Sequence, residues 1–137
     1  KCLEDWRCFK SLHRDVAGRS TRSDISWDLQ YNNIQNGTSV FIYSKFNKKF
    51  IAGCFFDYSK DDMKYSVSVS DPNFKKFNCN EKIISLAIKY AKSIKIKNFH
   101  LGVLKKNETD IKKINIHDFK KNFCRRINNN YGVYQYI

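Results

Sequence analysis

A polar segment near the start of the chain has the highest density of side chains that could do chemistry. It reads H-R-D-V-A-G-R-S-T-R-S-D-I-S-W-D-L-Q and runs from His13 to Gln30. Three of its residues, Arg14, Arg19 and Arg22, carry planar guanidinium groups that suit phosphate or carboxylate. The segment therefore predicts an anion-binding wall that contacts substrate, with a solvated connection between two helices as the alternative.

Three further residues of this segment could act on a substrate. His13 titrates near neutral pH and is a candidate general base, although a histidine at a helix end is more often a surface or packing residue. Trp27 and Gln30 lie three residues apart, so a helix places them on one face. Both are candidates for substrate binding, although a core anchor is the commoner role for such a tryptophan.

The stretch M-K-Y-S-V-S-V-S has the alternation of a strand and offers hydroxyl groups. Alternation predicts that Tyr65 lies on the face opposite to Ser66, Ser68 and Ser70. Tyr65 is a candidate acid, or a donor that orients a carbonyl group. Ser66 and Ser68 could bind an extended substrate in a cleft, or the serine row could face water.

The remaining reactive residue types predict neither a metal site nor a nucleophilic centre. His13, His100 and His117 are scattered without ligand spacing, and the five cysteines show no metal spacing. His100, in an apolar stretch, is expected to be a packing residue. No phosphate-binding or dinucleotide-binding glycine motif is present in the sequence. Unpaired thiols in a reducing, cytoplasmic compartment are the expected state of the cysteines.

Hydrophobic periodicity predicts the elements that must position these residues. An apolar stripe at helical spacing and capping residues define the helices, and short alternating or apolar runs between turns define the strands. The expected elements, in chain order, are the helices Leu3–Val16 and Ile25–Gln35, the strands Ser39–Lys45, Lys49–Tyr58 and Met63–Ser70, the helix Glu81–Ile94, the strand Asn98–Leu104, the helix Ile116–Asn122 and the strand Tyr131–Ile137. The order predicts an α+β fold whose mixed, mostly antiparallel sheet has helices on both faces.

Size and charge narrow the class of protein. With 137 residues and 42% hydrophobic content, the chain is expected to be a single globular domain over residues 1–137. No apolar run reaches the length of about 18 residues that a membrane span needs. The formal net charge is +13, and the last third, from Lys89 onward, has 12 basic against 3 acidic residues. This excess favours a polyanionic partner, unless it only reflects a lysine-rich composition.

Several pieces of the sequence, together with the element order, resemble the FemAB-like branch of the GNAT acyltransferase superfamily. The longest piece is H-R-D-V-A-G-R-S-T-R-S-D-I-S-W-D-L-Q-Y-N-N-I-Q-N-G, and the others are I-A-G-C-F-F, K-Y-S-V-S-V-S, A-I-K-Y-A-K-S followed by N-F-H-L-G, and I-H-D-F-K-K-N-F. The resemblance extends from about His13 to Phe123. It implies a GNAT-like fold with two helices, three antiparallel strands, a helix, a strand, a helix and a strand.

The resemblance also implies a reaction and its donor. Members transfer an acyl or aminoacyl group to an amine, with acyl-CoA or aminoacyl-tRNA as donor. In members that bind acetyl-CoA, a glycine-rich loop before the central helix binds the pyrophosphate. The matching segment here, Lys75–Asn80, has no glycine, which disfavours the standard mode of binding because side chains would crowd the pyrophosphate. Asn78 and Asn80 are the candidate donor-binding residues of this segment.

The combined hypothesis is an acyl or aminoacyl transferase that acts on an amine of a cell-envelope or sugar precursor. His13, Tyr65 and Lys120 are its candidate catalytic residues. Lys120 matches a lysine that lies near the site in the family and could stabilise charge there, although a solvated lysine is the alternative. The other functions kept open are a CoA-dependent N-acetyltransferase with a divergent loop and a non-catalytic half-domain that binds a polyanion.

A second GNAT-like half is an expected partner, because many members of this branch contain two such halves in tandem. The domain would then be the C-terminal half. Since the chain lacks an initiator Met, we expect it to be processed or a fragment.

Overall fold

A computed structural model of the chain describes residues 3–102 and 108–124. The described residues fall into two compact units, divided between Gly102 and Val103. The first unit contains the helices α1 (Leu3–Ala17), α2 (Asp24–Gln35) and α3 (Cys79–Ser93) and the strands β1 (Ser39–Phe46), β2 (Lys49–Tyr58), β3 (Asp62–Ser70) and β4 (Asn98–His100). The second contains α4 (Ile111–Lys121).

Helices α1 and α2 form because each has a defined end and an apolar stripe. Gly18 follows α1 with a φ of 68°, a left-handed conformation that glycine adopts without steric cost. Ser23 is the N-cap of α2, and its hydroxyl accepts a hydrogen bond from the backbone N–H of Ser26 at 3.3 Å. Both ends agree with the sequence prediction.

The four strands form one sheet in the order β1-β2-β3-β4. The first three strands make an antiparallel meander, and β4 joins β3 in parallel. Asn47 and Lys48 turn the chain between β1 and β2 with φ angles of 47° and 67°, as a two-residue hairpin turn requires. Helices α1 and α2 cover one face of the sheet and α3 covers the other, which confirms the predicted α+β class.

The face covered by α1 and α2 holds an aromatic core. Trp6 and Phe9 of α1 and Trp27 of α2 pack against Phe50, Phe55, Val67 and Val69 of the sheet. Ring centroids of Trp6 and Phe55 are 5.6 Å apart, and those of Phe9 and Trp27 are 5.7 Å apart, both nearly edge to face. Burial of these large rings fixes α1 over β2 and β3 and α2 over β1.

The face covered by α3 holds an aliphatic core. Buried residues of α3 contact buried residues of the sheet there: Ile83, Ala87 and Ala91 on the helix, and Ala52, Cys54, Phe56 and Met63 on the strands. The helix begins at Cys79, two residues before the predicted start, because Asn78 at its N-cap has the left-handed φ of 49°. The predicted polar loop before α3 contains a 3₁₀ helix, Pro72–Phe77.

A β-bulge in β3 overturns one prediction about the faces of that strand. The register opposes Phe55 to Val67 but Phe56 to Tyr65, so Ser66 is an extra residue. The extra residue turns Tyr65 toward α3, whereas Val67 lies on the α1 face. The prediction that Tyr65 lies opposite to Ser66, Ser68 and Ser70 is therefore wrong for Ser68 and Ser70. The Ser68 hydroxyl is hydrogen-bonded to the Tyr65 hydroxyl, and the Ser70 hydroxyl accepts from Asn80 of α3.

Strand β4 contains the first three residues of the predicted strand. Among the described residues, it pairs with β3 over Asp62 to Lys64 and ends at His100. The Asp62 carboxylate accepts hydrogen bonds from Asn98 Nδ2 at 3.0 Å and contacts His100 Nε2 at 2.8 Å, which joins the two strands. His100 is thus an exposed polar contact between strands and not a packing residue.

The second unit consists of α4 and the residues beside it. The helix begins at Ile111 and ends at Lys121, where Ile116 to Asn122 was predicted. Phe119 and Phe123 stack edge to face with ring centroids 5.4 Å apart, as their spacing predicts. The end of the predicted strand Asn98–Leu104 and the whole of the predicted strand Tyr131–Ile137 lie outside the described residues.

None of the helices within residues 3–102 and 108–124 combines the length and the apolar character that crossing a bilayer requires.

Candidate functional site

A pocket of about 280 Å³ lies between α1 and the start of α2. Its wall combines cationic, hydroxyl, imidazole and indole groups with one carboxylate. The lining residues are Arg7, Lys10, Ser11, His13, Arg14, Ser20, Thr21, Asp24 and Trp27. The pocket therefore falls within the segment that the sequence marks as a substrate-binding wall, extended by one further turn of α1.

The charges of the pocket come from two helices. Arg7, Lys10 and Arg14 lie three and four residues apart, so they form one stripe along α1. Lys10 Nζ is 2.8 Å from Asp24 Oδ1 of α2. Arg14 is 3.9 Å from its neighbour Asp15, with both side chains largely exposed, and has a lesser charge interaction with Asp24. The pocket is thus cationic, and one of its three cations is compensated by a carboxylate.

His13 is half-buried in this pocket, and its ring is held from two sides. The Thr21 hydroxyl is 3.3 Å from His13 Nδ1, and the ring meets Trp27 edge to face at 5.4 Å between centroids. Burial lowers the pKa of His13 below its ordinary 6.5, and the charge of Arg22 lowers it further. The imidazole is therefore neutral at pH 7, the form that can accept a proton.

Trp27 is a core residue whose ring also reaches the pocket, and its contact with substrate stays a prediction. It is 3% exposed and belongs to the aromatic core, yet it also lines the pocket. The guanidinium carbon of Arg22 is 5.9 Å from the centroid of its ring, a cation–π distance. Arg22 therefore lies beside the pocket and does not line it.

The other two predicted substrate contacts of this segment lie elsewhere. Arg19 is exposed in the connection between the helices and is absent from the pocket wall. Gln30 is half-buried on α2, and its Oε1 atom is buried without a hydrogen-bond partner among the described residues. An acceptor in that state could bind a polar ligand atom, but it lies outside the pocket wall.

The candidate residues of β3 divide between the two faces of the sheet. Tyr65 faces α3, where burial raises the pKa of its hydroxyl and the nearby Cys54 thiol raises it further. Ser66 Oγ donates to Asp57 Oδ2 at 2.6 Å, and Ser39 Oγ donates to the other oxygen of that carboxylate at 3.0 Å. Since α1 covers the opposite face, the structure does not bring Tyr65 and His13 together.

The candidate donor-binding residues lie where β3 passes into α3. Asn78 makes no side-chain hydrogen bond that caps α3. Asn80 Nδ2 donates to Ser70 Oγ at 3.3 Å, whereas Asn80 Oδ1 is buried without a hydrogen-bond partner among the described residues. Strand β3 continues from Ser66 to Ser70 with no strand beside its outer edge in the described part of the chain.

Lys120 lies on α4, in the second unit. Its side chain is half-buried, and burial lowers the pKa of the ammonium group, an effect that the Cys124 thiol partly offsets. In the described ranges, 3–102 and 108–124, no group of three or more His, Cys, Asp or Glu side chains could bind a metal ion. The described cysteines, Cys8, Cys54, Cys79 and Cys124, are free thiols.

Sequence analysis missed the three pocket residues that come before His13. Arg7, Lys10 and Ser11 precede the conspicuous segment and were absorbed into the amphipathic pattern of α1. The sequence does show a polar stripe at positions 7, 10, 11 and 14 of α1. This stripe lies beside the core residues of the helix and lines the pocket.

Comparison with known proteins identifies the fold. A scan against protein-family models finds no match, and no curated protein matches the chain. Solved structures do match. The ribosomal-protein-alanine N-acetyltransferase from Brucella melitensis biovar Abortus 2308 aligns over 99% of this chain and 95% of its own, with a TM-score of 0.70 and 10% sequence identity. The domain has the GNAT acetyltransferase fold.

Two further GNAT structures were solved with donor-derived ligands. A predicted acetyltransferase with acetyl-CoA, from Clostridium acetobutylicum, covers 98% of this chain and 92% of its own at a TM-score of 0.70 and 13% identity. AAC(6')-Iy in complex with the bisubstrate analogue CoA-S-monomethyl-acetylneamine aligns over 98% of this chain and 93% of its own, with a TM-score of 0.75 and 7% sequence identity. The similarity therefore extends to N-acetyltransferases that act on amines, while the FemAB-like branch stays a prediction.

Proposed function

We propose that this domain is an acyltransferase that moves an acyl group from an acyl-CoA donor to an amine. The observation that carries the proposal is the edge of β3 from Ser66 to Ser70, which has no partner strand in the described part of the chain and ends beside the start of α3. A strand edge offers backbone N–H and C=O groups to an extended ligand. The amides at the start of a helix favour an anion.

The residues at the start of α3 fit an acyl-CoA better than the missing glycines suggest. Asn78 already has a left-handed φ of 49°, a conformation for which glycine is usually required. The buried Asn80 Oδ1 needs a hydrogen-bond donor, and the amide-bearing arm of coenzyme A carries such donors. The Asp71 carboxylate would oppose a pyrophosphate, but it accepts hydrogen bonds from Lys49 at 2.9 Å and from Asn73 at 3.0 Å.

The pocket between α1 and α2 supplies the second half of the proposed reaction. When bound, the donor supplies an activated carbonyl group, and the protein must deliver a neutral amine to it. His13 is neutral at pH 7 and lies in the pocket wall, so it is the proposed acceptor of the amine proton. Helix α1 packs over β2 and β3, which puts this pocket on one face of the strand with the exposed edge.

Calorimetric titration with acetyl-CoA tests the donor, and a matched pair of variants tests the site. Asn78→Gly keeps the left-handed conformation, and we expect it to bind as the wild type does. Asn78→Val disfavours that conformation because its side chain is β-branched, and we expect binding to weaken about tenfold or more. Thermal unfolding of both variants controls for folding.

The titration also separates the proposal from its competitors. Absence of acetyl-CoA binding, together with tRNA binding that favours the aminoacylated form, would replace the donor with aminoacyl-tRNA. Absence of binding to both donors would refute an independent transferase and favour a half-domain. Binding of acetyl-CoA that is equally strong in the wild type and both Asn78 variants would place the donor elsewhere.

A further inference from the structure

We propose that the pocket between α1 and α2 selects an acceptor amine that also carries an acidic group, either a carboxylate or a phosphate. The inference rests on the proposed function, because it concerns the acceptor of that reaction. It deepens the proposal by assigning a substrate class from the charges of the pocket. An acidic amine matches a wall that combines arginine side chains with hydroxyl groups and an imidazole.

The cationic side of the pocket has more charge than the protein itself neutralises. Arg7, Lys10 and Arg14 face it, and Asp24 is the one carboxylate among the lining residues. Asp24 pairs with Lys10 at 2.8 Å, so the two guanidinium groups keep their charge for a ligand. Arg14 has a 3.9 Å contact with the largely exposed Asp15 and, after Lys10, a lesser charge interaction with Asp24. Guanidinium groups bind carboxylate and phosphate oxygens in pairs of hydrogen bonds, which suits this role.

The rest of the wall suits the amine end of such a ligand. The hydroxyl groups of Ser11, Ser20 and Thr21 can donate to or accept from a small polar molecule. His13 offers a neutral nitrogen that can accept the proton of the ammonium group. A volume of about 280 Å³ limits the ligand, or the part of it that enters, to the size of an amino acid or one sugar ring.

Three small amines test the assignment: O-phosphoethanolamine, β-alanine and ethanolamine. Acyl transfer from acetyl-CoA to each is measured, along with amide chemical shifts during titration of each amine without donor. We expect kcat/KM to be at least about tenfold higher for one or both acidic amines than for ethanolamine. Comparison of O-phosphoethanolamine with β-alanine shows whether the pocket prefers a phosphate or a carboxylate.

Charge-matched variants show whether the pocket is responsible. Arg7→Gln and Arg14→Gln should each raise KM for the preferred acidic amine about tenfold, because one contact to a charged group is lost, and should change KM for ethanolamine by a much smaller factor. Lys89→Gln removes the same charge from the exposed side of α3, on the opposite face of the sheet, and should change neither value. All three side chains are exposed, so the fold should persist.

The outcomes separate this inference from the proposed function. Equal rates for acidic and neutral amines, unchanged in the arginine variants, would overturn the substrate class while acyl transfer stands. Weaker acetyl-CoA binding in the arginine variants, with unchanged KM for amines, would assign the pocket to the donor and also overturn it. Amide chemical-shift changes that are confined to the pocket and are lost in the arginine variants, without any acyl transfer, would support the anion site and refute the transferase.

Discussion

His13 is the residue whose environment changes its chemistry most directly. Its ring lies between Trp27 and the Thr21 hydroxyl, in a pocket whose charged groups are Arg7, Lys10, Arg14 and Asp24, with Arg22 beside it. Because burial and Arg22 both disfavour the imidazolium form, the neutral form persists below pH 6.5. A base in this pocket would therefore remain active in mildly acidic solution.

The pH dependence of kcat/KM tests this role of His13. In a plot of log kcat/KM against pH, the slope should be one between the lowered pKa of His13 and the pKa of the acceptor amine. Below the pKa of His13 the slope should be two. His13→Gln should lose the second slope and reduce the rate by about 10²–10⁴. A variant that keeps the second slope would show that another group takes the proton.

Gly53 shows how little space the aromatic core leaves at a single position. A Cβ atom at Gly53 would lie 2.8 Å from Phe50 Cζ, 2.9 Å from Phe41 Cε2 and 3.1 Å from Phe9 Cδ2. We expect Gly53→Ala to lower the free energy of unfolding by about 1–3 kcal/mol, because three packed rings would have to move. Urea denaturation measures the change.

A second substitution separates crowding from a backbone effect at Gly53. Phe50→Leu removes the ring that comes nearest to the added methyl group. It should therefore cost less in the Gly53→Ala background than in the wild type, as a double-mutant cycle detects. Additive costs would mean that crowding against Phe50 is not the cause.

At the scale of elements, the connection between β3 and α3 depends on one carboxylate. Asp71 is 5% exposed and accepts hydrogen bonds from Lys49 and from the backbone and side chain of Asn73. The hydrogen bond from Lys49, followed by that from the Asn73 backbone, lowers the pKa of Asp71 in the folded state. Its contribution to stability is thus present above the unfolded pKa of about 3.9 and is lost as pH falls through the folded value.

Asp71→Asn tests the contribution of this carboxylate. We expect it to lower the free energy of unfolding by about 1–2 kcal/mol at pH 7, because an amide replaces a charged acceptor of three hydrogen bonds. The difference from wild type should shrink below about pH 4. Asp28→Asn, on the exposed side of α2, should change stability by less than about 0.5 kcal/mol. A difference between wild type and Asp71→Asn that is independent of pH would exclude the charge as the cause.

The elements that sequence could predict are those whose ends and faces are set locally. Ser23 and Gly18 delimit the first two helices, and Asn47–Lys48 defines the hairpin turn. Ser23 acts through its side chain on the next turn, and the others act through their own backbone conformation. The bulge at Ser66 could not be predicted, because strict alternation in K-Y-S-V-S-V-S hides it. The bulge lets Tyr65 pack toward α3 and Val67 toward α1, and both helices are distant from β3 in the sequence.

The candidate site was predictable in part for the same reason. The segment from His13 to Trp27 contains four of the lining residues besides its own ends, so its composition indicates where the pocket lies. Arg19 is left out because the connection turns it toward solvent. Arg7 was missed because a charged residue on an amphipathic helix has the same pattern whether it faces water or a pocket.

At the scale of the whole molecule, the net charge of +13 has consequences that do not depend on any site. A protein of this charge attracts nucleic acid without specificity, and such binding weakens steeply with salt. We expect tRNA binding to fall by at least about tenfold between 50 and 200 mM salt, equally for aminoacylated and free tRNA. Acetyl-CoA binding should change less, since fewer phosphates take part. A preference for aminoacylated tRNA that survives 200 mM salt would contradict the acyl-CoA proposal.

The short pairing of β3 with β4 has a further consequence, for the exchange of backbone hydrogens with solvent. From Ser66 to Ser70, the amides that point toward β2 are held in the antiparallel ladder, whereas those on the outer edge have no strand beside them in the described part of the chain. Protection from exchange should therefore alternate along this one strand, residue by residue. An extended ligand that binds the outer edge would protect the fast-exchanging set and leave the slow set unchanged.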